Sequence, residues 1–233
     1  MAQRTALVVF IVALGLCFLL PAASTAGVSE DAKVQASTAV MKEIMEIPES
    51  AIPPSLLASA HGIAIFPDLL KAGFILGARY GVGVLLIRNE DRNWGNPVFF
   101  RLIGGSIGWQ VGAQSSDVIL VLKSIRSLDA ICGGKFTLGA DASVAAGPVG
   151  RQAEAGTDVL LRAEILSYSR SRGLFVGLSL EGAAIQVDYG ATAAFYNMPG
   201  LLPTEVLRNR TVLTPPAPAG ELKYVLDWYS RQQ

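Results

Sequence analysis

Between Gly73 and Leu86 the chain separates into two faces. Phe74, Leu76, Tyr80, Val82, Val84 and Leu86 fall on one parity, and Gly73, Gly77, Gly81 and Gly83 on the other. A period of two predicts a strand, and glycines along the opposite face suit either strong curvature or the close approach of another surface. After a hairpin loop, "NEDRNWGNP", the alternation resumes with Phe99, Ile103, Ile107, Trp109 and Val111. The apolar stretches "HGIAIFP" and "DVILVLK" predict further strands. "FTLGADASVAAGPVGR", Phe136 to Arg151, predicts another that turns at Gly147-Pro148, and the segment from Asp158 to Asp188 predicts two more around a turn near Ser171 to Gly173. Long antiparallel strands with glycine kinks predict a strongly curved, partly closed sheet.

Helical spacing brackets these strands. From Val28 to Ile47 there is no glycine or proline, Val34, Met41, Ile44 and Met45 recur on one face, and Pro48 ends the run. That stripe fits a helix docked on its own domain or one lying on a membrane. Charge favours docking, because Glu30, Asp31, Glu43, Glu46 and Glu49 outnumber Lys33 and Lys42, the wrong sign for anionic lipid heads. "SIRSLDAICGG" and "ATAAFYN" predict short helices, and "ELKYVLDWYSRQQ" a terminal amphipathic helix with Leu222, Val225, Leu226 and Tyr229 on one face. The expected class is α+β: a curved antiparallel sheet with an N-terminal amphipathic helix and short C-terminal helices. The expected layout is a domain over 28–197, a proline-rich linker over 198–219 and the terminal helix over 220–233.

The first 26 residues look different. A single arginine, an apolar run from Ala6 to Leu20 and small residues ending in Ser24-Thr25-Ala26 form the three-part pattern of a secretory signal peptide. The run is shorter than the roughly 20 residues that span a bilayer, which makes a retained anchor the weaker reading. Export to the periplasm or cell envelope is therefore expected. Of the two cysteines, Cys17 lies inside that run, so cleavage leaves Cys132 without a disulfide partner. Lysine plus arginine equals aspartate plus glutamate at 19 each, so no overall field draws the chain to nucleic acid.

Few residues offer chemistry. "GGSIG" matches the G-x-S-x-G nucleophile elbow at Ser106, but that motif needs a strand, a sharp turn and a helix, and Ser106 stands inside continuous alternation. His61, the sole histidine, precedes the serine, against the order such hydrolases require. A serine esterase is thus the third choice, and no catalytic residue is assigned. Cys132 lacks neighbours at zinc-ligand spacing, and Asp141, Glu164, Glu181 and Asp188 share no calcium-loop spacing, so no metal or cofactor is expected. "GADASVAAGPVGR" lacks the G-K-[ST] ending of a phosphate loop. It offers small side chains, Asp141 to organise its neighbours, and Arg151 beside a turn. "YSRSRG" offers Arg170 and Arg172 in the same way. These three arginines are candidate anion contacts.

Taken in order, "IPPSLLASAHGIAIFP", "AGFILGARYGVGVLL", "GGSIGWQVGAQSSDVILVL", "FTLGADASVAAGPVGR" and "ILSYSRSRGLFVGLSLEGAAIQVD" resemble the motifs of the SYLF domain family, over about Val28 to Asn197. The resemblance implies a non-catalytic lipid-binding domain. Eukaryotic members of that family join it to SH3 or FYVE modules, and bind phosphoinositides and in some cases actin. Bacterial members are commonly exported single-domain proteins, the kind this chain is similar to. Because Val28–Ser50 is acidic, the expected partner is a zwitterionic or bacterial anionic phospholipid surface, or an envelope protein, rather than a phosphoinositide. Candidate lipid contacts are Arg151, Arg170 and Arg172, with apolar insertion of Met41, Ile44 and Met45 as the alternative. Asp141, Gly147, Gly173 and Glu181 mark the structural motif. A second expectation is an adaptor whose terminal helix docks a protein through Trp228 and Tyr229, against the plainer reading that this helix covers its own sheet.

Overall fold

A computed structural model describes residues 29–48, 51–149, 162–171, 174–175, 180–208 and 214–232. It is an α+β fold built on a strongly curved, partly closed sheet. Helix α1 (Glu30–Met45) begins where Ser29 accepts the Ala32 N–H at 3.3 Å, with Glu30 and Asp31 in its first turn and Lys42 in its last. Both ends thus complement the helix dipole. After α2 (Pro54–Ser59) the chain enters β1 (Gly62–Ile87) and, past the loop, β2 (Val98–Leu122). These two pair antiparallel from Gly62↔Leu122 to Leu85↔Val98.

The segments expected as separate strands are therefore continuous. "HGIAIFP" joins the glycine-rich stretch through an irregularity between Phe66 and Leu69, where Pro67 has no N–H to give and Asp68 takes φ 54°. Asp117 Oδ1 accepts the Asp68 N–H across the bulge at 3.1 Å. "DVILVLK" likewise forms the end of β2.

Curvature brings the two halves of β1 together, and the glycines mark where they touch. A Cβ on Gly83 would lie 2.2 Å from the Ile65 carbonyl oxygen, and one on Gly81 would lie 2.7 Å from Leu69 Cδ1. At Gly81 and Gly83 the surface that approaches is the chain's own strand. Such a contact excludes any side chain larger than hydrogen at Gly83.

The other edge of β2 is shared. Strand β7 (Ala184–Val187) pairs with Phe100–Ile103, and β5 (Ile165–Ser171) with Asp117–Leu122. Strand β3 (Lys135–Thr137) adds to β7, while β4 (Val144–Ala146) and β6 (Leu174–Phe175) add to β5. This makes seven strands among the described residues. Helix α3 (Ile125–Cys132) follows β2, capped by Ser124 Oγ on the Ser127 N–H at 3.1 Å. Helix α4 (Tyr189–Phe195) follows β7, capped by Asp188.

The core lies against both faces of the sheet, closed by helices. Phe66, Phe99, Phe100 and Phe136 fill it from the strands, with Met41 and Ile44 from α1. The segment expected as a linker holds α5 (Pro203–Leu207), whose Pro203, Val206 and Leu207 are buried. The terminal helix α6 (Ala217–Arg231) buries Leu222, Val225 and Leu226 against the domain. Lys42 Nζ meets Glu221 Oε1 at 2.8 Å, tying α1 to α6. Among the described residues no helix is long and apolar enough to cross a membrane.

Candidate functional site

Of the three arginines expected to hold an anion, Arg170 is described, and it is engaged. It ends the β2–β5 ladder opposite Asp117, and its side chain is 17% exposed. Its guanidinium bridges Asp117 Oδ2 at 3.2 Å and Glu43 of α1. Two carboxylates offset one cation, so Arg170 fastens the N-terminal helix to the sheet. Arg151, Arg172 and Gly173 lie outside the described residues. The apolar alternative fares similarly: Met41 and Ile44 are fully buried under the sheet, and Met45 is partly buried against the same core. For these side chains to meet lipid, α1 would have to leave the domain.

The small-residue motif is tied down by its neighbours. Asp141 Oδ2 accepts the Thr137 N–H at 2.6 Å, closing the turn between β3 and β4. In that turn Gly139 takes φ 85°, and a Cβ there would lie 3.2 Å from Glu181 Cγ. Gly147 lies against the Tyr168 ring, where a Cβ would come within 2.1 Å of Cζ. Tyr168 Oη donates to the Pro148 carbonyl at 3.1 Å. At Gly147, then, the close neighbour is an aromatic ring of β5.

Ser106 stands in mid-strand, paired with Gly77, where the backbone makes no strand-to-helix elbow. Burial and then Arg92 hold the His61 imidazole below its ordinary range, and burial pushes the Cys132 thiol up to about 11. A thiol so placed is a poor nucleophile at neutral pH. Among the described residues no group of three or more His, Cys, Asp or Glu side chains could hold a metal. Asp188 instead caps α4 through the Ala191 N–H and pairs with Arg101 Nε at 2.6 Å.

Sequence reasoning passed over Arg88. It closes the β1–β2 hairpin as a bridge partner of Trp94, which sets both side chains on one face. The guanidinium carbon lies 4.1 Å from the centroid of the Trp94 ring. Nη2 donates to the Leu57 carbonyl at 3.1 Å and to Ser230 Oγ at 2.9 Å, and Nη1 donates to the Arg92 carbonyl. Hairpin, α2 and α6 therefore converge on one side chain that is 6% exposed. Its remaining donor, Nε, and Trp94 Nε1 are buried without hydrogen-bond partners. The available signal was the pair of residues flanking "NEDRN", a cation and a tryptophan that a tight hairpin must bring face to face.

Beside Arg88 opens a cleft of about 500 Å³ lined by Ile87, Arg88, Glu90, Asp91, Leu207 and Arg208. The helix that carries Ser230 also presents an outward stripe. Tyr224 and Trp228, one turn apart, are 66% and 55% exposed. Tyr229 is partly buried against the core, on the face its spacing shares with Leu222, Val225 and Leu226, and is not the second outward anchor of the adaptor expectation. The terminal helix thus covers its own domain with one face and offers aromatics with the other.

Residues 103–229 match the family model Ysc84, described as "Las17-binding protein actin regulator". The chain is 33% identical over 199 residues to "SH3 domain-containing YSC84-like protein 1" of Xenopus laevis, covering 83% of this chain and 58% of that protein. The protein of the same name from Bos taurus is 34% identical over 203 residues, 83% of this chain and 57% of its own length. "Protein YSC84" of Saccharomyces cerevisiae is 39% identical over 153 residues, 64% of this chain and 32% of that protein. The chain thus spans about half the length of the first two relatives. On a family match that runs from inside β2 nearly to the end of α6, the chain belongs to the Ysc84 family, whose SYLF domain its ordered motifs resemble.

Proposed function

We propose that this chain is a binding domain without chemistry of its own, which seats on a phospholipid surface through the outer face of α6. The observation that carries the reading is the split character of that helix. Leu222, Val225 and Leu226 are held in the core while Tyr224 and Trp228 face water one turn apart. Tyrosine and tryptophan pair an apolar body with a polar tip, which suits the level of lipid headgroups. Because the inner stripe is satisfied by the domain, the outer stripe can meet a surface without any loss of fold. The apolar run from Ala6 to Leu20, followed by small residues up to Ala26, supports export of this domain, and the compartment proposed for it is a periplasm or cell envelope.

Sedimentation with vesicles of phosphatidylethanolamine and phosphatidylglycerol tests the reading. The chain should pellet with the vesicles, and a Tyr224→Ala, Trp228→Ala double variant with unchanged circular dichroism should stay in the supernatant. A parent chain that stays in the supernatant with every composition would remove the proposal.

A second reading takes the same stripe as an adaptor surface for an envelope protein. The description of the matched family as an actin regulator that binds a protein partner supports it, as does the weight that aromatic anchors carry in interfaces. The two readings part when the double variant still binds vesicles as the parent does, which would leave the aromatic stripe to a protein.

A further inference from the structure

We propose that the cleft between the β1–β2 loop and the end of α5 is a zwitterion site, holding a phosphate on its arginine side and an ammonium on its acidic side. Its about 500 Å³ falls within the range of small-molecule sites, roughly 300–1,000 Å³. Arg88 and Arg208 line it together with Glu90 and Asp91. These opposite charges share one cleft, yet none of them pairs with another. The only ion pair that any of the four makes among the described residues is Arg88 with Asp227 of α6, at 4.0 Å. A ligand of one sign would be attracted by half of the wall and repelled by the rest. A ligand carrying both signs a few bonds apart satisfies each half.

The positive half has charge to spare. Burial opposes the Arg88 cation, Arg92 and Arg231 add to that, and Asp227 alone offsets it. Arg88 Nε has no acceptor but is buried, so Arg88 acts on the cleft through its charge and not by direct contact. Arg208, exposed at the end of α5, makes no ion pair among the described residues and supplies the accessible contact. Ile87 and Leu207 give the same cleft an apolar margin, suited to a glycerol backbone and the start of an acyl chain. The chemistry that fits is a phosphoethanolamine group, carried by a lipid or by soluble glycerophosphoethanolamine. Ser230 and Asp227, which engage Arg88, sit on the helix that bears Trp228. Arg88 thus ties the cleft to α6, and this inference deepens that reading and rests on it for the lipid as source.

Calorimetric titration of the full chain separates the two claims. Glycerophosphoethanolamine should bind more tightly than glycerol 3-phosphate or ethanolamine alone. Arg208→Ala should weaken glycerophosphoethanolamine and glycerol 3-phosphate alike, on the order of tenfold. Glu90→Gln with Asp91→Asn should weaken glycerophosphoethanolamine but strengthen glycerol 3-phosphate, because the repulsive wall is gone. All three positions are exposed enough to change without unfolding the chain. Equal affinity for the zwitterion and the bare phosphate, or indifference to both variants, would overturn the site. If these variants bind phosphatidylethanolamine vesicles as the parent does and the soluble headgroup does not bind, the cleft is refuted while the membrane face stands. If the soluble headgroup binds with the expected variant pattern and no vesicle does, the cleft stands with a soluble ligand and the membrane reading falls.

Discussion

The Arg88 guanidinium carbon lies 4.1 Å from the centroid of the Trp94 ring, and both side chains are almost wholly removed from water. The pair sits where the hairpin, α2 and α6 meet. Arg88→Ala should therefore lower stability by about 3 kcal/mol, losing the stacking and the bonds to Leu57, Arg92 and Ser230 together. Arg88→Lys should recover little, since an ammonium cannot reproduce a planar fork that stacks and donates on several sides. Urea unfolding measures both, and a lysine variant as stable as the parent would show that only charge matters here.

Gly83 and Gly105 make a matched pair of tests for the folded-over sheet. A Cβ at Gly83 would strike the Ile65 carbonyl at 2.2 Å, while nothing lies within 4 Å of one at Gly105. Gly83→Ala should cost at least about 3 kcal/mol or prevent folding. Gly105→Ala should change stability by less than about 0.5 kcal/mol. Comparable effects at the two sites would contradict the close passage of β1 over itself.

Cys132 should be inert while the chain is folded. Burial raises its pKa from 9.0 to about 11. At pH 8 the native thiolate fraction is then about a hundredfold below that of an unfolded chain, and iodoacetamide labelling should slow accordingly. Because the folded pKa is raised, the stability linked to this thiol is present below about pH 9 and is lost as pH climbs towards 11. Mass spectrometry of the Cys132 peptide, with and without urea, gives the labelling rates.

The two faces of α6 should separate stability from binding. Leu226 is fully buried, and Leu226→Ala should cost about 2–4 kcal/mol. Trp228→Ala should change stability by less than about 0.5 kcal/mol. Thermal unfolding of the two variants distinguishes a helix that covers its domain from one that merely hangs beside it.

Local chemistry made much of this architecture legible. Alternation found β1 and β2, and the Ser29, Ser124 and Asp188 caps stand where polar residues precede helical spacing. The glycines of β1 announced a close approach, but periodicity carries no information on what approaches, and the neighbour proved to be Ile65 and Leu69 of the same strand. Arg170 looked like a turn-borne anion contact because its partners, Glu43 and Asp117, are distant in sequence. Trp94 faces Arg88 across a short hairpin and was within reach of the sequence, but Leu57 and Ser230 converge on it only once the chain is folded. The inner stripe of α6 was readable from its spacing. The same spacing put Tyr229 on the inner face and left Trp228 off it; how deeply each is covered depends on how the helix seats against α1 and α2, which spacing leaves open.

Trp228 is itself the best reporter of contact between α6 and lipid. Subtracting the emission of a Trp228→Phe chain from that of the parent isolates this residue from Trp94 and Trp109. On addition of vesicles of phosphatidylethanolamine and phosphatidylglycerol, the isolated emission should move to shorter wavelength and be quenched when bromine is carried on the upper acyl chains. Vesicle binding with Trp228 emission unmoved and unquenched would contradict a membrane face on α6.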